Sequence, residues 1–175
     1  MTRIIAGELG GRRIAVPPRG TRPTTDLVRE AIFGRLDAAD AVRRANVLDA
    51  FAGSGALGIE ALSRGAAEAT FVEQDRRSIA VIEANLATTG LAERATVVRA
   101  DADSVVARAV AEGRRWDLAL LDPPYAFDDW AELLAVLPAD LAVVESDRSI
   151  EPPPGWGVVR ERRYGGTLVA VLRPT

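Results

Sequence analysis

Val47-Leu48-Asp49-Ala50-Phe51-Ala52-Gly53-Ser54-Gly55-Ala56-Leu57-Gly58 reads as a buried strand running into a glycine-rich turn that opens a helix. Residues 53–58 satisfy G-x-G-x-x-G, and Glu73 follows 20 positions after Gly53, at the end of the next expected strand. Glycines let the backbone approach a ligand closely, and a helix N-terminus offers unpaired N–H groups. The pattern is common to dinucleotide and other adenosine-cofactor sites, so alone it leaves the cofactor open. Glu73 suits a ribose diol, because a carboxylate accepts from two hydroxyls; a strand-end surface acid is the plainer reading. Asp49 narrows the choice. An acid just before the turn attracts the positively charged amino-acid moiety of S-adenosylmethionine and repels a pyrophosphate.

Working outward, the chain alternates strand and helix. Strands are expected at 46–50, 68–73, 94–99, 116–121 and 140–145, with helices near 56–64, 76–89, 103–112 and 128–136. Gly65, Gly90 and Gly113 fall where helix C-caps belong. Segments 157–163 and 167–172 flank Gly165-Gly166 and read as a hairpin. The fold class is therefore α/β: a mostly parallel seven-stranded sheet covered by helices on both faces, ending in an antiparallel hairpin. Ahead of it, residues 2–6 and 12–16 form a small hairpin about Gly10-Gly11, and 25–38 a helix capped by Thr24 or Thr25. This divides the chain into an extension, 1–20, and a main domain, 21–175. The last crossover, Ser146 to Pro154, is too short and proline-rich for a full helix. Trp116, Trp130 and Trp156 are expected to pack in the core.

Composition removes whole classes of chemistry. The chain has 175 residues, no cysteine and no histidine, and all 22 of its basic residues are arginine. A disulfide framework, a thiolate nucleophile, an imidazole base and a zinc site are all excluded, and no metal site is expected. No apolar run approaches membrane-spanning length or a signal peptide, so the expected location is cytoplasmic. The net charge is −3, yet across residues 1–25 Arg3, Arg12, Arg13, Arg19 and Arg22 face only Glu8. A basic arm on an acidic body suits nucleic-acid contact; a solvated hairpin accounts for it equally well. Removing such an arm is expected to spare cofactor binding.

Asp122-Pro123-Pro124-Tyr125 follows the strand Trp116 to Leu121, at the edge where open α/β sheets place ligands. Two prolines stiffen the turn and remove two backbone donors. A carboxylate, a free carbonyl and an aromatic ring on one rigid turn can hold a planar amine, accepting its two N–H bonds and stacking on its face. Methylation of an exocyclic nucleobase amine requires that arrangement. Asp101, after the third strand, is placed to accept from an adenine amine; Asp101 or Asp103 capping the next helix remains the alternative.

With these motifs assembled, the chain resembles the Rossmann-like S-adenosylmethionine-dependent methyltransferases. Within them it is similar to the bacterial small-subunit (16S) rRNA guanine-N2 methyltransferase family. The resemblance runs through Arg3-Ile4-Ile5-Ala6-Gly7, Gly11-Arg12-Arg13, Arg22-Pro23-Thr24-Thr25-Asp26, Asp49 to Leu62, Phe71-Val72-Glu73-Gln74-Asp75, Asn85-Leu86 and Asp122 to Tyr125. It implies a cofactor held by Asp49, Phe51, Gly53, Gly55, Glu73, Gln74, Asp101, Ala102 and Asp122. Asp122, Pro123 and Tyr125 would carry the chemistry. Arg3, Arg12, Arg13, Arg22, Thr24, Thr25, Asp26, Arg29, Pro124 and Tyr125 would meet the RNA. The partner it implies is 16S rRNA within a small ribosomal subunit or assembly intermediate, bound by a monomer. The rivals are a DNA or RNA adenine-N6 methyltransferase, which shares the Asp-Pro-Pro-Tyr turn, and a non-catalytic RNA-binding module that kept the fold.

Overall fold

β3 (Asn46–Asp49) and β6 (Leu118–Leu121) lie side by side at the centre of a seven-stranded sheet, and from them the chain winds in opposite directions. From β3 the chain passes outward to β4 (Glu68–Glu73) and β5 (Ala95–Arg99). From β6 it passes to β7 (Ala142–Ser146), then to β9 (Thr167–Pro174), with β8 (Trp156–Tyr164) at the edge. Strands β3 to β7 are parallel, whereas β9 pairs antiparallel with both β7 and β8. This computed structural model describes residues 1–18 and 24–175. The sheet and its terminal hairpin agree with the sequence reading.

The sheet is covered on both faces, so its central strands are apolar throughout. Val47, Leu118 and Leu120 join one core with Ile32, Phe33, Ile59 and Ile82, from helices α1 (Asp26–Ala38), α2 (Ala56–Ser63) and α3 (Arg76–Thr89). Leu48, Ala119 and Leu121 face the other core with Val106 and Leu133, from α4 (Ala102–Ala111) and α5 (Trp130–Val136). The alternation of side chains along each strand makes this division. Trp116 and Trp130 are buried, and Trp156 lies partly buried against the second core with its indole N–H donating to the Leu134 carbonyl at 2.7 Å.

The boundaries of several elements shift by a residue or two, and the structure fills in the crossover and the hairpin. The expected strand 116–121 pairs in full only from Leu118, with Trp116 making a lone bridge to Ala139. As its length and prolines predict, the crossover after β7 contains no helix, and β8 follows as a long edge strand. The N-terminal hairpin pairs as strand only over β1 (Thr2–Arg3) and β2 (Arg13–Ile14). Its tip closes on itself, with the Ile4 amide donating to the Arg12 carbonyl at 2.9 Å and the Gly11 amide to the Ile4 carbonyl at 2.8 Å, while other backbone groups bond to the body. Glu60 of α2, fully buried, accepts from the Ile5 and Ala6 amides at 2.7 and 3.0 Å. Ser63 binds Leu9 and Ala6, and Asn85 of α3 both accepts from and donates to the Ala15 backbone. Ile4 and Ile14 sit in the first core at 1% exposure. The hairpin is therefore sewn into the domain, so removing it, expected from the sequence to spare cofactor binding, would also strip buried partners from α2 and α3.

Candidate active site

The acids singled out in the sequence gather at the C-terminal ends of the parallel strands, around the crevice between β3 and β6 where the winding direction reverses. That point is where open α/β sheets bind ligands. Asp49 ends β3, Glu73 ends β4, Asp101 follows β5 and Asp122 follows β6.

Asp49 is 1% exposed. Its Oδ2 accepts the Gly58 amide at 2.9 Å, while its Oδ1 is buried with no hydrogen-bond partner among the described residues. Burial pushes the carboxyl up to about 7; the Gly58 amide opposes this, and the charges of Asp122 and Glu73 add to it. A buried acceptor left open costs free energy unless a donor arrives. The turn beside it needs its glycines. Gly55 caps α2 with φ +79, and a Cβ on Gly58 would lie 2.3 Å from Cε1 of Phe71. Close seating of α2 on β4 thus depends on the bare backbone at Gly58.

Glu73 organises the other side of the turn. Its Oε2 accepts from Gly53 at 2.9 Å and its Oε1 from Gln74 and Asp75, at 2.8 and 2.9 Å. Asp101 caps α4, accepting from the Ser104 amide and hydroxyl at 2.7 and 2.8 Å; Ala102 is buried in the first turn behind it. The capping alternative is therefore realised, and lone pairs remain on Asp101 for a further donor.

On the β6 side, Thr24 donates to Asp122 Oδ2 at 2.9 Å. Burial raises the Asp122 carboxyl to about 6, with the Thr24 bond acting against the rise. Pro123 is buried and its carbonyl accepts no hydrogen bond among the described residues; Pro124 accepts from Phe127 at 2.8 Å, closing the turn. Tyr125 stands at the rim, its hydroxyl 3.2 Å from that of Thr167 on β9. Phe51 meets Phe127 edge-on with centroids 5.3 Å apart, which walls the crevice between the two motifs.

The RNA-contact expectations divide. Arg12 and Arg13 are exposed on the hairpin, whereas Arg3 is paired with Asp26 at 2.8 Å. Thr25 caps α1. Arg29 is fully buried, donating to Thr2, the Arg3 carbonyl and Asp26 from one nitrogen, so it braces the hairpin from inside. Arg22 lies outside the described residues.

Sequence reading missed three residues here. Arg148 clamps the Asp-Pro-Pro-Tyr turn, donating to the carbonyls of Tyr125 and Phe127 at 3.0 and 3.1 Å. Asn85 donates to Ser54 in the glycine turn at 3.0 Å, linking that turn to the hairpin. Glu145, buried in β7, lies 3.3 Å from the Thr24 hydroxyl. Asn85 lies in a segment that the family resemblance covers, without a role attached to it; no local pattern announces the other two. Among the described residues, no group of three His, Cys, Asp or Glu side chains is arranged to hold a metal, and no helix is long and apolar enough to cross a membrane. A separate concavity of about 540 Å³ lies at the opposite edge of the sheet, lined by residues including Arg43, Arg44, Asp117 and Asp140, remote from every motif above.

A family model described as conserved hypothetical protein 95 matches residues 2–173. The chain is 40% identical over 174 residues to the ribosomal RNA small subunit methyltransferase D of Escherichia coli strain K12, covering 93% of this chain and 85% of that protein. The protein of the same name from Haemophilus influenzae is 32% identical over 173 residues, covering 93% and 89%. The solved structure of yhhF from Escherichia coli matches with a TM-score of 0.86 at 39% identity, covering 99% of this chain and 97% of that one. That of the Thermus hypothetical protein TTHA0928 matches with a TM-score of 0.85 at 33% identity, covering 98% of each.

Proposed function

The chain belongs to the conserved hypothetical protein 95 family, and we propose that it transfers a methyl group from S-adenosylmethionine to the exocyclic N2 amine of a guanine in small-subunit rRNA. The coarser statement, a methyltransferase of ribosomal RNA, rests on the names of its relatives. The observation that supports transfer to an exocyclic amine is the pairing of two acids across one crevice, and the choice of guanine follows the resemblance to the guanine-N2 family. Asp49 keeps a buried oxygen open for a donor, and Asp122 stands beside a free carbonyl on a rigid turn.

The open oxygen of Asp49 fits the cofactor's ammonium group, and Glu73, at the end of the neighbouring strand, fits its ribose. Gly53, Gly55, Phe51, Gln74, Asp101 and Ala102 complete the surface it would rest on. When bound, the cofactor supplies an electrophilic methyl group on a good leaving group, so the protein's task is mainly positioning. The lone pair of a guanine amine is delocalised into its ring, which makes the nitrogen a poor nucleophile. Asp122 and the Pro123 carbonyl accept its two hydrogens and aim that lone pair at the methyl group. Tyr125 stacks on a base drawn out of its helix. Arg12 and Arg13 on the hairpin meet phosphates, and the substrate is an rRNA base exposed in a subunit or assembly intermediate. The protein works as a monomer in the cytoplasm.

Mass spectrometry of nucleosides from small-subunit rRNA tests the assignment. A strain lacking the protein is expected to lose one N2-methylguanosine, restored by the purified protein, cofactor and deficient particles. Loss of N6-methyladenosine in its place would assign the enzyme to adenine. An unchanged nucleoside profile would leave a binding module.

A further inference from the structure

Glu145 takes no part in the functions assigned so far, yet it is 3% exposed and lies beside Asp122. Strands β6 and β7 run parallel with Leu121 opposite Val144, so the next residue on each, Asp122 and Glu145, come side by side at the edge of the sheet. The Thr24 hydroxyl lies between them, 2.9 Å from Asp122 Oδ2 and 3.3 Å from each Glu145 oxygen. A hydroxyl has one proton to donate and two lone pairs with which to accept. Its shorter contact is with Asp122, so it donates there and accepts from a protonated Glu145. Two buried carboxylates this close do not both ionise.

We propose that Asp122, Thr24 and Glu145 form a hydroxyl-bridged pair of carboxyl groups sharing one proton, with Glu145 the protonated member and a positioning residue for methyl transfer. The inference rests on the reading of Asp122 as acceptor for the target amine. The chain of donors from Glu145 through Thr24 occupies Asp122 Oδ2 and leaves Oδ1 directed to the amine. As the C–N bond forms, the S–CH3 bond breaks and its electron pair stays on sulfur. The methylated nitrogen then carries a positive charge and passes one proton to Asp122 Oδ1. Both carboxyl groups are then neutral, and one proton returns to solvent after product leaves.

The surroundings favour this division. Burial pushes Glu145 well above the ordinary carboxylate range, and Asp122 and Asp49 raise it further; Arg29 acts in the opposite sense. Asp122 is raised less, to about 6. On the far side β9 places only apolar Val169 opposite Glu145.

The pH dependence of kcat on small-subunit particles tests the pair, alongside calorimetric cofactor affinity and mass spectrometry of the methylated nucleoside. Thr24→Val removes the donor that stabilises the Asp122 carboxylate, so the acid limb of the profile is expected to move to higher pH. At neutral pH kcat is expected to fall about ten- to a hundredfold, the worth of a charge-assisted hydrogen bond, with cofactor affinity within about twofold. Thr24→Ser is expected to restore both. Glu145→Gln keeps a donor for Thr24 but no longer titrates, so its profile is expected to lose the high-pH inflection while kcat stays above that of Glu145→Leu. Wild-type profiles in Thr24→Val and Glu145→Gln would overturn the pair. So would a fall in kcat with an unmoved profile that Thr24→Ser does not rescue. A methylated base other than guanine would overturn the base assignment alone, since the same profiles still report on the pair.

Discussion

The Gly58 amide donates to Asp49 Oδ2 at 2.9 Å, and that single bond leaves Asp49 Oδ1 sealed inside the protein with no partner among the described residues. The turn thus holds its acid by one oxygen and leaves the other open, as the proposed cofactor contact requires. A site pre-organised in this way trades stability of the free protein for affinity.

Cofactor affinity should therefore depend on pH. In the proposed complex the ammonium group meets the carboxylate form, and the free protein protonates Asp49 as pH falls through about 7. Affinity is expected to weaken below that value, by up to about tenfold per pH unit. Calorimetry at pH 6 in two buffers of different ionisation enthalpy should detect a proton released on binding.

The same group acts on stability with the opposite sense. Its folded pKa of about 7 exceeds its ordinary 3.8, so its contribution is fullest below 3.8 and is lost as pH rises through about 7. Asp49→Asn removes the buried charge, so it is expected to stabilise the free protein at pH 8 and to change its stability little below pH 3.8. It should also weaken cofactor binding. Thermal melts with and without cofactor check both.

Asp122→Ala and Glu73→Gln should separate the two halves of the site. With Asp122 in its proposed role as acceptor for the amine, its removal is expected to leave cofactor affinity nearly intact and abolish most turnover. Glu73 gathers three backbone amides at the turn, from Gly53, Gln74 and Asp75. Its neutralisation should weaken cofactor binding by about 1.5–3 kcal/mol, the range for hydrogen bonds to a charged group. Calorimetry beside a labelled-methyl assay distinguishes the two outcomes.

Gly58→Ala should disturb the fold at the site. The new Cβ would lie 2.3 Å from Phe71, a buried ring of the first core, so α2 must lift from β4. Overpacking of this kind is expected to cost about 1–3 kcal/mol and to weaken cofactor binding, since the displaced amide is the one that holds Asp49. Denaturant melts and calorimetry read these effects.

The hairpin should act on RNA through its exposed arginines. Deleting it would also uncover Ile4 and Ile14 and strip the partners of Glu60, so point substitution is the clean test. Arg12→Ala with Arg13→Ala is expected to leave thermal stability unchanged. RNA affinity should fall, with the salt slope lower by roughly 0.7–0.9 per lost phosphate contact. An unchanged slope would return the hairpin to a purely structural role.

The sequence by itself determined the parts whose geometry is local. The strand, glycine turn and helix from Val47 to Gly58 are contiguous, so backbone freedom and apolar runs reveal them without knowledge of the rest. The same holds for the rigid turn at Asp122, since two adjacent prolines restrict their own backbone. The alternation of strands and helices carried the sheet and its terminal hairpin for the same reason. Only the tertiary structure decided which side chains share a space. Thr24 bridges Asp122 and Glu145 across 98 and 121 residues, and Asn85 reaches Ala15 across 70. Those meetings depend on strand order and on the face each helix buries, which spacing along the chain does not encode. Arg29 shows the cost of reading charge without packing: expected at the cleft, it lies in the interior because the hairpin folds over it. A charged side chain is held there because Thr2, Arg3 and Asp26 converge on one of its nitrogens, and no local rule predicts convergence from two separate segments of the chain.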